Sequence, residues 1–173
     1  MRKHGAKFKG IFTLEVFGKN GKKISEIKSE NLVTNEGLDA MLDIMLHGST
    51  QITTWYCVLF EDDYNVVAGD TYATPGYTEC IAYDEGTRPE YEEATASSQS
   101  ITNAANKAFF TINSNKTIYG AAINGGGTDG NTKGDTAGGG TLFCAAQFVA
   151  SQAVVSGNVL VLTYEISATD DGV

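Results

Sequence analysis

Period-two alternation of apolar and polar residues recurs along this chain and does most to limit what it can fold into. In "IFTLEVF", Phe12, Leu14 and Val16 alternate with Thr13, Glu15 and Phe17. Successive side chains of a strand point to opposite faces, so such a segment buries one face and wets the other. "GKNG" at 18–21 supplies an Asn-Gly turn, and "KKISEIKSE" sets Ile24 and Ile27 on a polar background. Residues 11–30 therefore read as a hairpin with one wet face. "TTWYCVLF" puts Trp55, Cys57 and Leu59 on one face and Tyr56, Val58 and Phe60 on the other. Both faces are apolar, so this strand is expected to be central. "KAFFTI" at 107–112 and "TIYGAAI" at 117–123 read as another hairpin around "NSNK". "TLFCAAQF" and "NVLVLTYEIS" are strands, the last with Leu160, Leu162, Tyr164 and Ile166 facing one way.

One segment breaks the pattern. In "NLVTNEGLDAMLDIMLHGST", Leu38, Met41, Leu42 and Met45 recur at helical spacing, and Ile44 and Leu46 widen the stripe. Thr34 or Asn35 can cap the start, since either side-chain oxygen can accept from a free backbone N–H. Glu36 and Asp39 suit the positive first turn, and Gly48 suits the stop. The spacing predicts a helix over 36–47 whose apolar stripe docks on the sheets and closes their core.

Residues 61–99 are acidic, turn-rich and studded with tyrosine, with short strands expected near Thr78–Tyr83 and Glu90–Ala94. "GGGTDGNTKGDTAGGG" at 125–140 is half glycine, which predicts a mobile loop. About eight strands with one helix and no fixed-period repeat predict a mainly β fold: an antiparallel β-sandwich, jelly-roll-like in form, with one short α-helix. At 173 residues the chain fits one domain. The expected division is a basic N-terminal arm at 1–10, the sandwich over 11–168 and a tail at 169–173.

Charge is segregated. Residues 1–28 hold eight Lys/Arg and two Glu, whereas the remainder holds four Lys/Arg and nineteen Asp/Glu. The basic start reads either as an arm lying on an acidic neighbour or as a frayed, solvated terminus. An acidic body without a basic-aromatic groove argues against nucleic acid as a partner. No run approaches the ~18 apolar residues of a membrane helix, so no membrane partner is expected. No apolar stretch with a cleavage site follows the basic start, so no signal peptide is read. Cys57, Cys80 and Cys144 form no CxxC pair, which argues for buried thiols in a reducing compartment and against a disulfide framework or zinc site.

Catalytic signals are thin. His47 ends the helix and reads as a dipole-complementing cation or surface residue, not a general base. No GxSxG is present, and Lys133 lies between Thr132 and Gly134 with no helix after it, so neither a nucleophile elbow nor a P-loop is supported. The reading is that the chain is not an enzyme and needs no cofactor or metal. A minor alternative is calcium held by Glu61, Asp62, Asp63 and the carboxylates between Asp84 and Glu93, since hard oxygen ligands suit that ion.

Several stretches, in order, carry a resemblance. "NLVTNEGLDAMLDIMLHGSTQITTWYCVLF", "VAGDTYATPGYTECIAYDEGTRPEY", "SITNAANKAFFTINSNKTIYGAAI", "GGGTLFCAAQF" and "LTYEISATDDGV" together resemble small structural proteins of tailed bacteriophages, from about residue 10 to the end. The basic start and the longer glycine-rich loop depart from that pattern. The resemblance implies a virion component and brings no catalytic residues. The expected function is a capsid decoration or cement protein that binds the assembled head, partnered by the major capsid protein or another virion protein and forming a homo-oligomer. The alternative is a tail- or fibre-associated protein contacting host-surface glycan through aromatic and acidic loops. The candidate contact residues are Arg2, Lys3, Lys7, Lys9, Trp55 and Tyr56, with plain core packing the competing reading for Trp55.

Overall fold

The alternating segments form strands, and in the computed structural model, which describes residues 5–170, they number nine. They are β1 (Ala6–Phe17), β2 (Lys23–Glu30), β3 (Leu32–Val33), β4 (Trp55–Phe60), β5 (Ser100–Thr102), β6 (Ala108–Thr111), β7 (Lys116–Gly125), β8 (Thr141–Val154) and β9 (Val159–Asp170). Between β3 and β4 runs helix α1 (Asn35–Leu42), which continues as a π-helical turn (Asp43–His47). All strand pairs are antiparallel. One sheet has the order β2-β1-β9, with β5 and β6 both lying along the far edge of β9; the other has the order β3-β8-β7-β4. The fold is thus a mainly β antiparallel sandwich with one helix. The chain lays down two strands in a sheet before each crossing.

The core between the sheets follows from the alternation. Phe12, Leu14 and Val16 of β1 and Leu160, Leu162 and Tyr164 of β9 meet Cys57, Leu59, Ile123, Cys144 and Phe148 from the other sheet. Phe12 and Tyr164 stack with centroids 4.5 Å apart. The β1–β2 hairpin turns through Gly21 at φ +72°, and Asn20 Oδ1 accepts from the Lys22 amide.

The second sheet is buried on both faces. Its outer face carries Val58, Phe60, Ala122, Leu142 and Ala145, and Tyr72 and Tyr77 from the 61–99 segment cover it. Phe60 and Tyr77 stack at 4.6 Å. Gly120 admits that packing, because a Cβ there would overlap the Phe60 ring. The fold therefore has a third, irregular layer, and this explains the doubly apolar sequence of β4. That strand is not central: it is the edge of its sheet. The third layer closes the edge with the Cys57 amide donating to the Pro89 carbonyl at 2.8 Å and the Cys80 amide donating to the Leu59 carbonyl at 2.8 Å. An edge paired in this way offers no free strand to another chain.

Four sequence expectations are corrected. The segments 107–112 and 117–123 do not pair as a hairpin: β6 pairs with β9 in one sheet and β7 with β8 and β4 in the other, so "NSNK" is a crossing between sheets. No strands form at 78–83 or 90–94, where isolated bridges at Glu79, Tyr83 and Glu90 are all that appears. The arm expected over 1–10 is strand from Ala6 onward, since Ala6 pairs with Asp170 and Phe8 with Ala168. The same pairing takes Thr169 and Asp170 out of the expected tail; Asp171–Val173 lie outside the described residues. The fourth correction concerns the helix and is taken up with the site.

Candidate functional site

The helix is anchored at its first turn. Thr34, fully buried, is the cap: its Oγ1 accepts from the Gly37 amide at 3.0 Å and donates to the Leu142 carbonyl. The Glu36 carboxylate accepts from the Leu142 amide at 2.6 Å and from the Tyr72 amide at 2.8 Å, tying the helix to β8 and to the third layer. Gly37 lies against the Phe143 backbone, where a Cβ would overlap the carbonyl. Gly48 at φ +76° ends the π-helical turn, and its amide donates to the Asp43 carbonyl.

The docked face of this helix is Gly37 with Ala40, Met41 and Ile44 half-buried beside it. The expected stripe is split: Met41 and Ile44 lie on the docked face, and the rest faces the other way. Leu38 is 37% exposed, Leu42 57%, Met45 76% and Leu46 80%. The expectation that this stripe seals the core is overturned. The helix is apolar on two flanks, and one of them has no partner among the described residues.

Beside the helix, at one end of the sandwich, is a cleft of about 500 Å³. Met41, Ile52, Trp55, Phe143 and Ile166 line it, with Phe8 at one side. Trp55 packs edge-on against Phe143 with centroids 5.5 Å apart and is half-buried, so it serves both the core and this surface. Tyr56 points to the opposite face of β4. It lines a second cleft, also about 500 Å³, formed by residues 50–54 and the start of the glycine-rich loop. Residues 51–53 are a wall common to both clefts.

The glycine-rich loop is not the free segment its composition predicts. Arg88, 2% exposed, uses every N–H of its guanidinium, two of them directly on the loop. Nε donates to Glu79 Oε1 at 3.0 Å and Nη2 to Glu79 Oε2 at 2.6 Å. Nη1 donates to the Tyr72 hydroxyl at 3.1 Å and the Gly130 carbonyl at 2.9 Å, and Nη2 also reaches the Asp135 carbonyl at 2.8 Å. Tyr72 in turn donates to Asp135 Oδ2 at 2.7 Å, and the Gly134 amide donates to Glu79 Oε2 at 2.9 Å. Burial alone would lower the Arg88 pKa, but the bonds and charge of Glu79 outweigh it and hold the group above its ordinary value. The Tyr72 hydroxyl, and then the Gly138 amide, hold the Asp135 carboxyl below its ordinary value. Sequence reasoning passed over Arg88. Its signal was position: between Lys28 and Lys107 it is the sole Lys or Arg, amid a run of carboxylates.

The expected contact residues are scattered. Arg2 and Lys3 lie outside the described residues. Lys7 is exposed on β1, while Lys9 is paired with Glu30 at 2.6 Å. Lys23 pairs with Glu26 and Glu15, and Lys28 with Glu26, so carboxylates of the same sheet answer part of the basic start. The carboxylates named for calcium do not converge, and among the described residues no three His, Cys, Asp or Glu side chains gather as a metal site. Glu61 pairs with Lys116, Asp62 accepts from the Thr78 amide and Glu85 from the Thr111 amide. The three cysteines are free and buried, and burial pushes Cys80 up to about 11 and Cys144 up to about 12. At neutral pH such thiols are inert. No protein-family model and no curated protein matches this sequence.

Proposed function

We propose that the chain is a structural protein of a bacteriophage virion, a capsid decoration or cement protein that binds the assembled head and stabilises it. One observation of the fold supports the reading: the unpartnered apolar flank of the helix, next to the aromatic cleft at the same end of the sandwich. Leu42, Met45 and Leu46 are each more than half exposed, and Met41 of the same helix lines the cleft with Trp55 and Phe143. Burying three such side chains against another subunit is worth roughly 3–6 kcal/mol before the cost of association. A protein that binds only the assembled state adds its binding free energy to that state by mass action. The partner is the major capsid protein or another virion protein, and the chain's place is the virion.

The alternative, a tail- or fibre-associated protein contacting host-surface glycan through aromatic and acidic loops, has less support, because Tyr72, Tyr77, Tyr83 and Tyr91 of the acidic segment are buried and Tyr64 is half-buried. The cement reading is tested by co-sedimentation with particles lacking the protein. Full-length chain should bind, and Leu42→Asp with Met45→Asp should not, while both remain folded by circular dichroism. An apolar contact keeps most of its affinity across a salt series, since screening acts on exposed charges. Absence of binding by the unmodified chain, or equal binding by the variant, would reject this surface as the attachment site.

A further inference from the structure

The second cleft has a chemistry of its own, independent of any role in a virion. Seven polar side chains line it: Thr50, Gln51, Thr53, Thr54, Tyr56, Thr128 and Asn131. Thr128 donates to Asp129 Oδ2 at 2.8 Å, and the side chains of the other six make no hydrogen bond to another described residue. Elsewhere in the same layer the polar groups are used internally: Asp62 by the Thr78 amide, Asp70 by Tyr64 and the Val67 amide, Asp135 by Tyr72. From the geometry we infer that this cleft is a binding site for a neutral saccharide.

Four features carry the inference. The volume, about 500 Å³, is that of a small-molecule site. The lining is hydroxyl and amide, groups that donate and accept at once, as each hydroxyl of a sugar ring does. No Lys, Arg, Asp or Glu lines the cleft, so an anion or a cation finds no counter-charge there. Tyr56 adds a half-buried aromatic ring that rests beside Gly130, and a ring of that kind offers an apolar face to sugar C–H groups.

The site is also pre-organised. Gly126 at φ +70° and Gly127 at φ +69° turn the chain at its rim. Arg88 fixes the loop just beyond by donating to the Gly130 carbonyl with its side chain and to the Asn131 carbonyl with its amide. A loop held before the ligand arrives costs less entropy to order on binding.

The test is an amide NMR titration of the full chain with maltohexaose, cellohexaose, chitohexaose and mannohexaose, alongside sialyllactose and inorganic phosphate as charged probes. The expected result is saturable shifts of amides 50–56 and 126–131 with at least one neutral oligosaccharide and none with phosphate. Tyr56→Ala and Asn131→Ala should each weaken that binding about tenfold, with shifts far from the cleft unchanged. Asn131 is exposed, so its variant keeps the fold even if Tyr56→Ala does not. No shift with any neutral probe at millimolar concentration overturns the inference. So do shifts confined to the apolar cleft, or binding that Asn131→Ala leaves intact.

Discussion

Replacing Arg88 by Met should cost this domain a large part of its stability and release the glycine-rich loop at the same time. The Arg88–Glu79 pair is buried, with side chains 1% and 8% exposed. Removing one partner of such a pair leaves an uncompensated charge and costs about 3–5 kcal/mol. The Gly130 and Asp135 carbonyls lose their donors as well, each worth about 1 kcal/mol where water cannot fully replace it. The expected loss is about 5–7 kcal/mol, out of a total of about 5–15 for a domain of this size. Urea denaturation followed by tyrosine fluorescence gives the difference, and amide exchange of Gly134 and Gly138 reads the loop separately. The second variant is the deciding one. Glu79→Leu combined with Arg88→Met removes the orphaned charge, so it should recover half or more of the loss. If Arg88→Met costs less than about 1 kcal/mol, or the double variant is no better than the single, the clamp is not what holds this layer.

Acid should loosen the same loop. Tyr72 and the Gly138 amide depress the Asp135 carboxyl below its ordinary 3.8, so their contribution is intact above that value and is lost as pH falls through the lower, folded one. Protection factors of amides 134–138 should fall in that window and stay flat from pH 5 to 7; loosening near neutrality would contradict the assignment. Leu42→Ala should change the stability of the isolated chain by less than about 0.5 kcal/mol, since its side chain is 57% exposed, and a denaturation midpoint settles it. Thr34→Ala should cost about 2–3 kcal/mol, because it removes a cap and strands the buried Leu142 carbonyl, whereas Thr34→Ser should restore most of it.

Local structure was legible where short-range chemistry decides it. Alternation and Asn20-Gly21 specify the β1–β2 hairpin, and Thr34 and Gly48 bracket the helix. Partner choice was not legible. Residues 108–111 and 116–125 are near in sequence and both alternate, but strand patterns say nothing of which sheet receives them; long-range burial decided that. The exposed flank of the helix was misread because periodicity reports apolar residues and not what covers them. Two apolar flanks, one with Gly37 and Met41 and one with Leu38 and Leu42, sum to a single broad stripe on paper. The third layer was hidden for a related reason. Tyr72, Tyr77, Tyr83 and Tyr91 sit among carboxylates and turns, so the segment reads as solvated loop, yet the doubly apolar β4 required a cover on its outer face. Tyr72 and Tyr77 are that cover, while Tyr83 and Tyr91 enter the core between the sheets. Trp55 and Tyr56 line different clefts because they alternate across β4, a division the period-two pattern already held, whereas the clefts themselves depend on segments distant in sequence.

The two clefts are separate surfaces framed by one set of bonds. Glu36 holds the first turn of the helix to the Tyr72 amide, Tyr72 reaches Asp135 through its hydroxyl, and Arg88 joins Tyr72 to the glycine-rich loop. Every polar anchor of the helix named above, Thr34, Glu36 and Gly37, lies at its start. The exposed flank from Leu38 to Leu46 takes no part in that anchorage. It follows that recognition and stability are carried by different residues of the same helix. Substitutions along the flank can retune what the end of the sandwich binds at little cost to the fold, whereas substitutions at Thr34, Glu36, Arg88 or Glu79 act on the fold and reach both clefts at once. A variant of the flank that altered the polar cleft would show that the flank shares in this anchorage, and a variant of Arg88 that left the helix amides unchanged would show that Tyr72 does not couple the loop to the helix.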